Sequence, residues 1–200
     1  MSGSLTGIVL AGGPGRIGAV PKLRAVLAGR PLVCLVVERL RSACDEILVV
    51  AKDRALAELG LHVVVDPEPM THPLIGLAAG LRAATAEWCF VCGCDMPFVN
   101  PGLVRWMASQ AELADVVIPV LSDGPHALHA VYARGCHPVL EEMAVRGETL
   151  WRFLRGLRAR IVTEAECRWL DPDLRSFFVV ETESDLHEAQ RLLESEAKVR

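Results

Sequence analysis

Apolar residues fall along this chain in short continuous runs, separated by longer stretches in which they recur every three or four positions. The runs Gly7-Ile8-Val9-Leu10, Glu46 to Ala51, His62 to Val65 and Trp88 to Gly93 read as strands, because a short uniformly apolar run suits a strand covered on both faces. Between them, Leu32 to Ala43 has helical spacing, with Glu38, Arg39 and Arg41 on the outer side. Arg54 to Leu59 reads as a helix closed by Gly60, and Leu74 to Ala86 as a helix entered through Pro73. Asn100 is placed to cap a helix running to about Leu113. This alternation predicts an α/β fold, a three-layer, doubly wound, mostly parallel sheet with helices on both faces.

The second half is less regular. Asp115 to Val120, Ala127 to Ala133, Arg160 to Thr163 and Phe177 to Val180 read as strands. His137 to Val145 and Thr149 to Leu157 read as helices, and Ser184 as the cap of a final amphipathic helix to about Glu194, with Ala197 to Arg200 a frayed tail. No repeat, low-complexity segment or linker interrupts residues 1–200, which read as one domain.

Composition narrows the class. Hydrophobic residues make up 52% of the 200 and charged residues 23%, as in a globular chain. A net charge of −4 without a Lys/Arg cluster argues against nucleic acid as a partner. No apolar run approaches the roughly 20 residues of a membrane span. Met1-Ser2-Gly3-Ser4 lacks the basic start of a signal peptide. Seven cysteines, an odd number set among apolar positions, fit a reducing cytoplasm better than a disulfide framework.

The candidate chemistry begins at Leu10-Ala11-Gly12-Gly13-Pro14-Gly15-Arg16-Ile17-Gly18-Ala19-Val20-Pro21-Lys22. Small residues after a buried strand let backbone N–H groups approach an anion, and Arg16 and Lys22 bring positive charge. Gly13-x-Gly15-x-x-Gly18 formally fits the dinucleotide fingerprint, but Pro21 stands where its helix must run, and no acidic residue closes a strand about 20 residues on. A Walker loop fails because no Gly-Lys-Ser/Thr occurs. A nucleoside-triphosphate pocket and a plain glycine-rich turn remain. Asp66 and Asp95 also end predicted strands, where doubly wound sheets bind ligands. A carboxylate at Asp95 suits Mg²⁺, which binds through one or two carboxylates plus substrate phosphates. A turn or helix-cap role is the alternative for Asp95, and a simple Asp-Pro turn for Asp66.

These residues resemble a family. Leu10-Ala11-Gly12-Gly13 with Arg16-Ile17-Gly18 and Lys22 is similar to the signature of the molybdenum cofactor guanylyltransferases, the MobA-like nucleotidyltransferases. Pro73-Leu74-Ile75-Gly76-Leu77-Ala78-Ala79-Gly80-Leu81 resembles the family's Pro-Leu-x-Gly-x-x-x-Gly-Leu helix, and Cys94-Asp95-Met96-Pro97-Phe98 its Cys-Asp-x-Pro-Phe metal motif. His126 to Tyr132 resembles the stretch beside the second substrate. The resemblance runs from Gly7 to about Leu193 and implies a Rossmann-like nucleotidyltransferase fold. It implies that Leu10, Ala11, Gly12 and Gly13 bind the nucleotide, that Lys22 holds the triphosphate with Arg16 beside it, and that Asp66 lies near the base or ribose. Asp95 then holds Mg²⁺. The implied reaction is transfer of GMP from GTP to the terminal phosphate of molybdopterin, with release of pyrophosphate.

Several positions depart from the family pattern. The loop is one residue short, which shifts Arg16, and the Asp before the lysine is Pro21. The family's Asn-x-Asn-Thr-Pro-x-Asp-Leu is Val179-Val180-Glu181-Thr182-Glu183-Ser184-Asp185-Leu186, so both asparagines are absent. Glu181 can replace one as a second metal ligand, or stand as an exposed loop residue. The Gln-Pro pair is His126-Ala127. Cytidylyl transfer from CTP, transfer to another phosphorylated acceptor, and non-catalytic nucleotide binding are the alternatives. Homo-oligomerisation, hinted at by the apolar face of the last helix, and transient contact with cofactor-pathway proteins stay open.

Other signals carry less. Cys89-x-x-Cys92-x-Cys94 lies on a strand whose alternation turns Cys89 and Cys92 to opposite faces, against zinc. The spacing of His126 and His129 on a strand opposes their rings in the same way, leaving one of them to touch substrate. No Gly-x-Ser-x-Gly supports a hydrolase triad. The four tryptophans are scattered and read as core or interface residues.

Overall fold

The computed structural model describes residues 3–66 and 72–199. Pro67 of the Asp66-Pro67 turn, Met1-Ser2 and the terminal Arg200 lie outside the described residues. The chain forms β1 (Leu5–Leu10), the hairpin β2 (Arg16–Ile17) and β3 (Val20–Pro21), the hairpin β4 (Val26–Leu27) and β5 (Arg30–Pro31), α1 (Leu32–Leu40), β6 (Glu46–Ala51) and β7 (Val63–Val65). It continues through α2 (Pro73–Ala83), β8 (Trp88–Gly93), α3 (Pro101–Ser109), β9 (Val116–Leu121), β10 (Gly124–Pro125) and β11 (His129–Ala133). The last elements are α4 (His137–Val145), α5 (Leu150–Arg155), β12 (Ala159–Thr163), α6 (Glu164–Leu170) and α7 (Glu183–Val199).

An eight-stranded sheet in the order β10-β9-β11-β8-β1-β6-β7, with β12 paired to β9, forms the middle layer. The strands β8, β1, β6 and β7 are mutually parallel. β11 runs antiparallel between β8 and β9, because the connection from β9 is a short hairpin turn with no room for a crossover. Alternation sorts the side chains: Val9, Phe90 and Cys92 face α1, α3 and α6, while Ile8, Cys89 and Val91 face α2, α4 and α5. Cys89 and Cys92 are therefore on opposite faces. No described helix is long and apolar enough to cross a membrane.

A third apolar cluster joins the two hairpins to the C-terminal helix. Ile17, Leu27, Leu32, Phe98 and Val180 pack against Ala189, Leu186, Leu192 and Leu193 of α7. The apolar face of α7 thus packs against the chain's own hairpins, with Leu186, Leu192 and Leu193 left partly buried. The helix also runs on to Val199, past the expected frayed tail. Its first turn is closed by Thr182 rather than Ser184: the Thr182 hydroxyl accepts from the Asp185 N–H (3.2 Å), and the Asp185 carboxylate accepts from the Thr182 N–H (2.8 Å).

Other expectations need correction. Residues 177–180 are not a strand: a 3-10 turn, Arg175–Phe177, precedes a segment held to the core by one bond from the Val180 N–H to the Asp95 carbonyl (2.9 Å). α6 begins at Thr163-Glu164-Ala165-Glu166, a reciprocal capping box in which hydroxyl and carboxylate satisfy each other's backbone N–H. The segment before Gly60 is a 3-10 helix, Ala55–Leu59, and α3 stops at Ser109. Trp169 is 76% exposed and Trp151 51%, so neither belongs to the core.

Two features of the core have measurable consequences. A Cβ built on Gly80 stands 2.6 Å from Cγ2 of the fully buried Ile8, so α2 crosses β1 at a distance only glycine permits. Gly80→Ala gains roughly 1 kcal/mol of helix propensity against about 1–3 kcal/mol of overpacking, and a lower urea midpoint is expected. The second feature is His129, fully buried, with neither ring nitrogen finding a hydrogen-bond partner among the described residues and the ring between Phe90 and Phe177. Burial, with the nearby His126, lowers its pKa to about 3. The folded state thus holds this ring neutral, so its contribution to stability is full above the unfolded pKa of about 6.5 and is lost as pH falls from there toward 3. His129→Leu is expected to lose less stability than the parent protein between pH 7.5 and 5 in urea melts. Equal losses in the two proteins would contradict this.

Candidate active site

The parallel strands β8, β1, β6 and β7 open their C-terminal ends along one edge of the sheet. Each end delivers a polar group or an open backbone. Asp95 follows β8, the glycine-rich loop follows β1, Lys52 follows β6 and Asp66 follows β7. Three intervals of about 4.8 Å put the outer two roughly 14 Å apart. A cavity of about 430 Å³ spans this edge, closed on the other side by the start of α2 and by Leu128.

The loop is anchored before it turns. The Ala11 N–H donates to the Val50 carbonyl (2.8 Å), and the Cys94 N–H to the Leu10 carbonyl (3.1 Å). Leu10, Ala11, Gly12 and Gly13 all line the cavity. β2 and β3 then fold back, with Arg16 opposite Pro21, and the Lys22 N–H donates to the Gly15 carbonyl (2.9 Å). Pro21 ends this hairpin and starts the 3-10 turn Lys22–Arg24, so it aims Lys22 inward without disrupting the loop. Gly18 makes the reversal with φ +56°, and the Glu183 carboxylate lies against the place its Cβ would take.

Lys22 is the focus of the charge at one end. Its Nζ lies 2.9 Å from Asp95 Oδ2 and 3.7 Å from Glu181 Oε1. Burial lowers its pKa, but the Asp95 hydrogen bond and the charges of Asp95 and Glu181 outweigh that and leave it raised. Lys22 is therefore a permanent cation here. Glu181 is 69% exposed, at the rim, and the Val180–Asp95 backbone bond carries it there. Burial, with the adjacent Asp95 charge, pushes the Cys94 thiol up to about 12, so it is not a nucleophile. At the other end, Lys52 Nζ donates to Asp66 Oδ2 (2.7 Å), and the Asp66 N–H donates to the Ala51 carbonyl (2.9 Å).

The structure thus brings Leu10 to Gly13, Lys22, Asp66 and Asp95 into one cavity, with Glu181 at its edge. Arg16 is not among them. It is exposed on β2, and its guanidinium donates to the Ala19 carbonyl at the hairpin tip. His126 and His129 both contact Phe177, at ring separations of 4.9 and 4.5 Å, contrary to the expected opposition. Alternation does not apply to them, because His126 precedes β11 and sits in the turn, where it pairs with Asp123. Lys52 and His72 also line the cavity, and the sequence motifs do not single them out. A signal for Lys52 exists all the same: it is the polar residue that ends an apolar strand, as Asp66 and Asp95 do.

A cation flanked by carboxylates beside a small-residue loop suits polyphosphate and a divalent metal. Comparison with known proteins identifies the family. Residues 7–162 match the family model described as the MobA-like NTP transferase domain. A Desulfosudis oleivorans protein named molybdenum cofactor guanylyltransferase is 33% identical over 197 residues, covering 96% of this chain and 97% of that protein. A Pelotomaculum thermopropionicum protein named probable molybdenum cofactor guanylyltransferase is 33% identical over 193 residues, covering 95% and 94%. The crystal structure of molybdopterin-guanine dinucleotide biosynthesis protein A from Archaeoglobus fulgidus superposes with a TM-score of 0.83 at 27% identity, covering 95% of this chain and 99% of that one. The chain belongs to the MobA-like NTP transferase domain family and is a nucleotidyltransferase.

Proposed function

We propose that this nucleotidyltransferase moves GMP from GTP onto the terminal phosphate of molybdopterin and releases pyrophosphate. The observation that carries this reading is the Lys22 ammonium held between Asp95 and Glu181 at the mouth of the glycine-rich loop. The guanylyl group and the acceptor accord with the names of the full-length relatives. In the reaction an acceptor phosphate oxygen attacks the α-phosphorus in line. One P–O bond forms there, the bond to the bridging oxygen breaks, and pyrophosphate leaves with the electron pair.

The acceptor is already an oxyanion, so no general base is required, and positioning and charge neutralisation do the work. The backbone of Leu10 to Gly13 holds the nucleotide, and Lys22 moves from its carboxylates to the phosphates. Asp95 and Glu181 fit a divalent cation, since both already face one positive charge. Two carboxylates completed by substrate phosphates are a donor set that Mg²⁺ takes. Bound there, Mg²⁺ neutralises charge on the phosphates. Arg16 reaches the phosphates only if it releases the Ala19 carbonyl.

The test is pyrophosphate release by the purified protein with GTP, molybdopterin and Mg²⁺, which is expected to require all three. Preference for CTP would keep the machinery and change the product. Asp95→Asn is expected to lower kcat on the order of 10²- to 10³-fold while GTP affinity without metal is retained. Glu181→Gln is expected to raise the Mg²⁺ concentration needed for half-maximal rate. Full activity in Asp95→Asn would remove the carboxylate from the mechanism.

A further inference from the structure

Two cations have a claim on the same two carboxylates. In the proposed reaction Asp95 and Glu181 take a divalent ion, but the structure already seats the Lys22 ammonium between them, 2.9 Å from Asp95 Oδ2 and 3.7 Å from Glu181 Oε1. A divalent ion shared by those oxygens would press against the ammonium, like charge on like charge. The Lys22 and Asp95 side chains are only 19% and 17% exposed, so water screens that repulsion little. The two cations exclude each other.

The seat of the ammonium is built into the loop. The Lys22 N–H donates to the Gly15 carbonyl, which pins the base of the side chain. Its stem then crosses Gly15, with Cδ 2.9 Å, Cε 3.1 Å and Cγ 3.4 Å from where a Cβ on Gly15 would stand. On the other side, Asp95 Oδ1 lies against the place a Cβ on Gly93 would take. Both partners of the ion pair thus occupy space that a glycine leaves open. Gly12, Gly13 and Gly15 line the same cavity, so the end of the stem can swing toward them while its base stays pinned.

We infer that Lys22 is a resident cation that keeps free divalent ions out of the Asp95–Glu181 site until a triphosphate draws the ammonium away. The inference rests on the proposed roles of Lys22 toward phosphate and of the two carboxylates toward metal. With the ammonium in place, the three groups leave a single net negative charge, and two carboxylates fill few of the octahedral positions that Mg²⁺ requires. A triphosphate changes both conditions. It offers the ammonium new anionic partners on the loop, and it adds phosphate oxygens to the set that receives the metal. Metal therefore enters with the triphosphate or after it, not ahead of it.

The test follows Mn²⁺ binding without nucleotide, through the electron spin resonance signal of the free ion, in the parent protein, Lys22→Met and Lys22→Arg. The parent is expected to bind Mn²⁺ weakly, and Lys22→Met, which keeps a stem over Gly15 and loses the charge, roughly ten- to a hundredfold more tightly. Lys22→Arg keeps the charge and is expected to stay near the parent. Adding Asp95→Asn to Lys22→Met is expected to remove the gain. Equal Mn²⁺ affinity in the parent and Lys22→Met overturns the inference, and so does a gain that survives Asp95→Asn, which would place the ion elsewhere. Calorimetry with GTP separates this failure from that of the proposed function. GTP binding that strengthens with Mn²⁺ in the parent and loses that response in Asp95→Asn keeps the metal role of the carboxylate, whatever the free ion does. GTP binding indifferent to Mn²⁺ overturns both.

Discussion

β1 is covered by helices on both faces, and this constraint shapes the site. Ile8 packs toward α2 and Val9 toward α1, so the end of the strand that meets the loop is apolar and leaves no side chain free for chemistry. In the proposed reading, the loop at its C-terminal end therefore binds its ligand through backbone. Ala11, Gly12 and Gly13 meet that need because small side chains let the ligand approach closely, and the Ala11 and Cys94 N–H bonds hold the turn to both neighbouring strands. Charged side chains then come from the strands on either side: Asp95 after β8, Lys52 after β6 and Asp66 after β7.

The charges fall into two groups, one at each end of the strand-end edge. At the β8 end one ammonium faces two carboxylates, leaving excess negative charge where a divalent cation and polyphosphate can enter. At the β6–β7 end the Lys52 ammonium meets the Asp66 carboxylate. The C-terminal segment is part of the first group. Val180 bonds to the Asp95 carbonyl, Glu181 reaches Lys22, and Glu183 covers Gly18, so α7 and the hairpin it packs on are tied to the phosphate end.

The sheet is legible in the sequence because burial on both faces writes itself into composition: Glu46–Ala51 and Trp88–Gly93 occur as read. Polar groups at strand ends are legible for the same reason, since a carboxylate after an apolar run, as at Asp95, is conspicuous. Phe177 to Val180 imitates a strand because apolar residues that plug a cluster share its composition without forming a ladder. α6 escapes a periodicity reading although Thr163 and Glu166 announce it, because its exposed residues give little apolar spacing. His126 and His129 look like strand neighbours, but the turn between them brings both rings to Phe177. Which carboxylates share Lys22, and that Arg16 turns to its own hairpin, depend on long-range packing that no local pattern encodes.

The measurement that bears most directly on the site is titration calorimetry of the purified protein with GTP, CTP and ATP, each with and without Mg²⁺. The expected result is GTP binding that strengthens with Mg²⁺, with CTP and ATP weaker. Absence of binding by any triphosphate would contradict the reading of the Leu10–Lys22 loop as a nucleotide pocket. GTP binding indifferent to Mg²⁺ would contradict the metal role of Asp95 and Glu181.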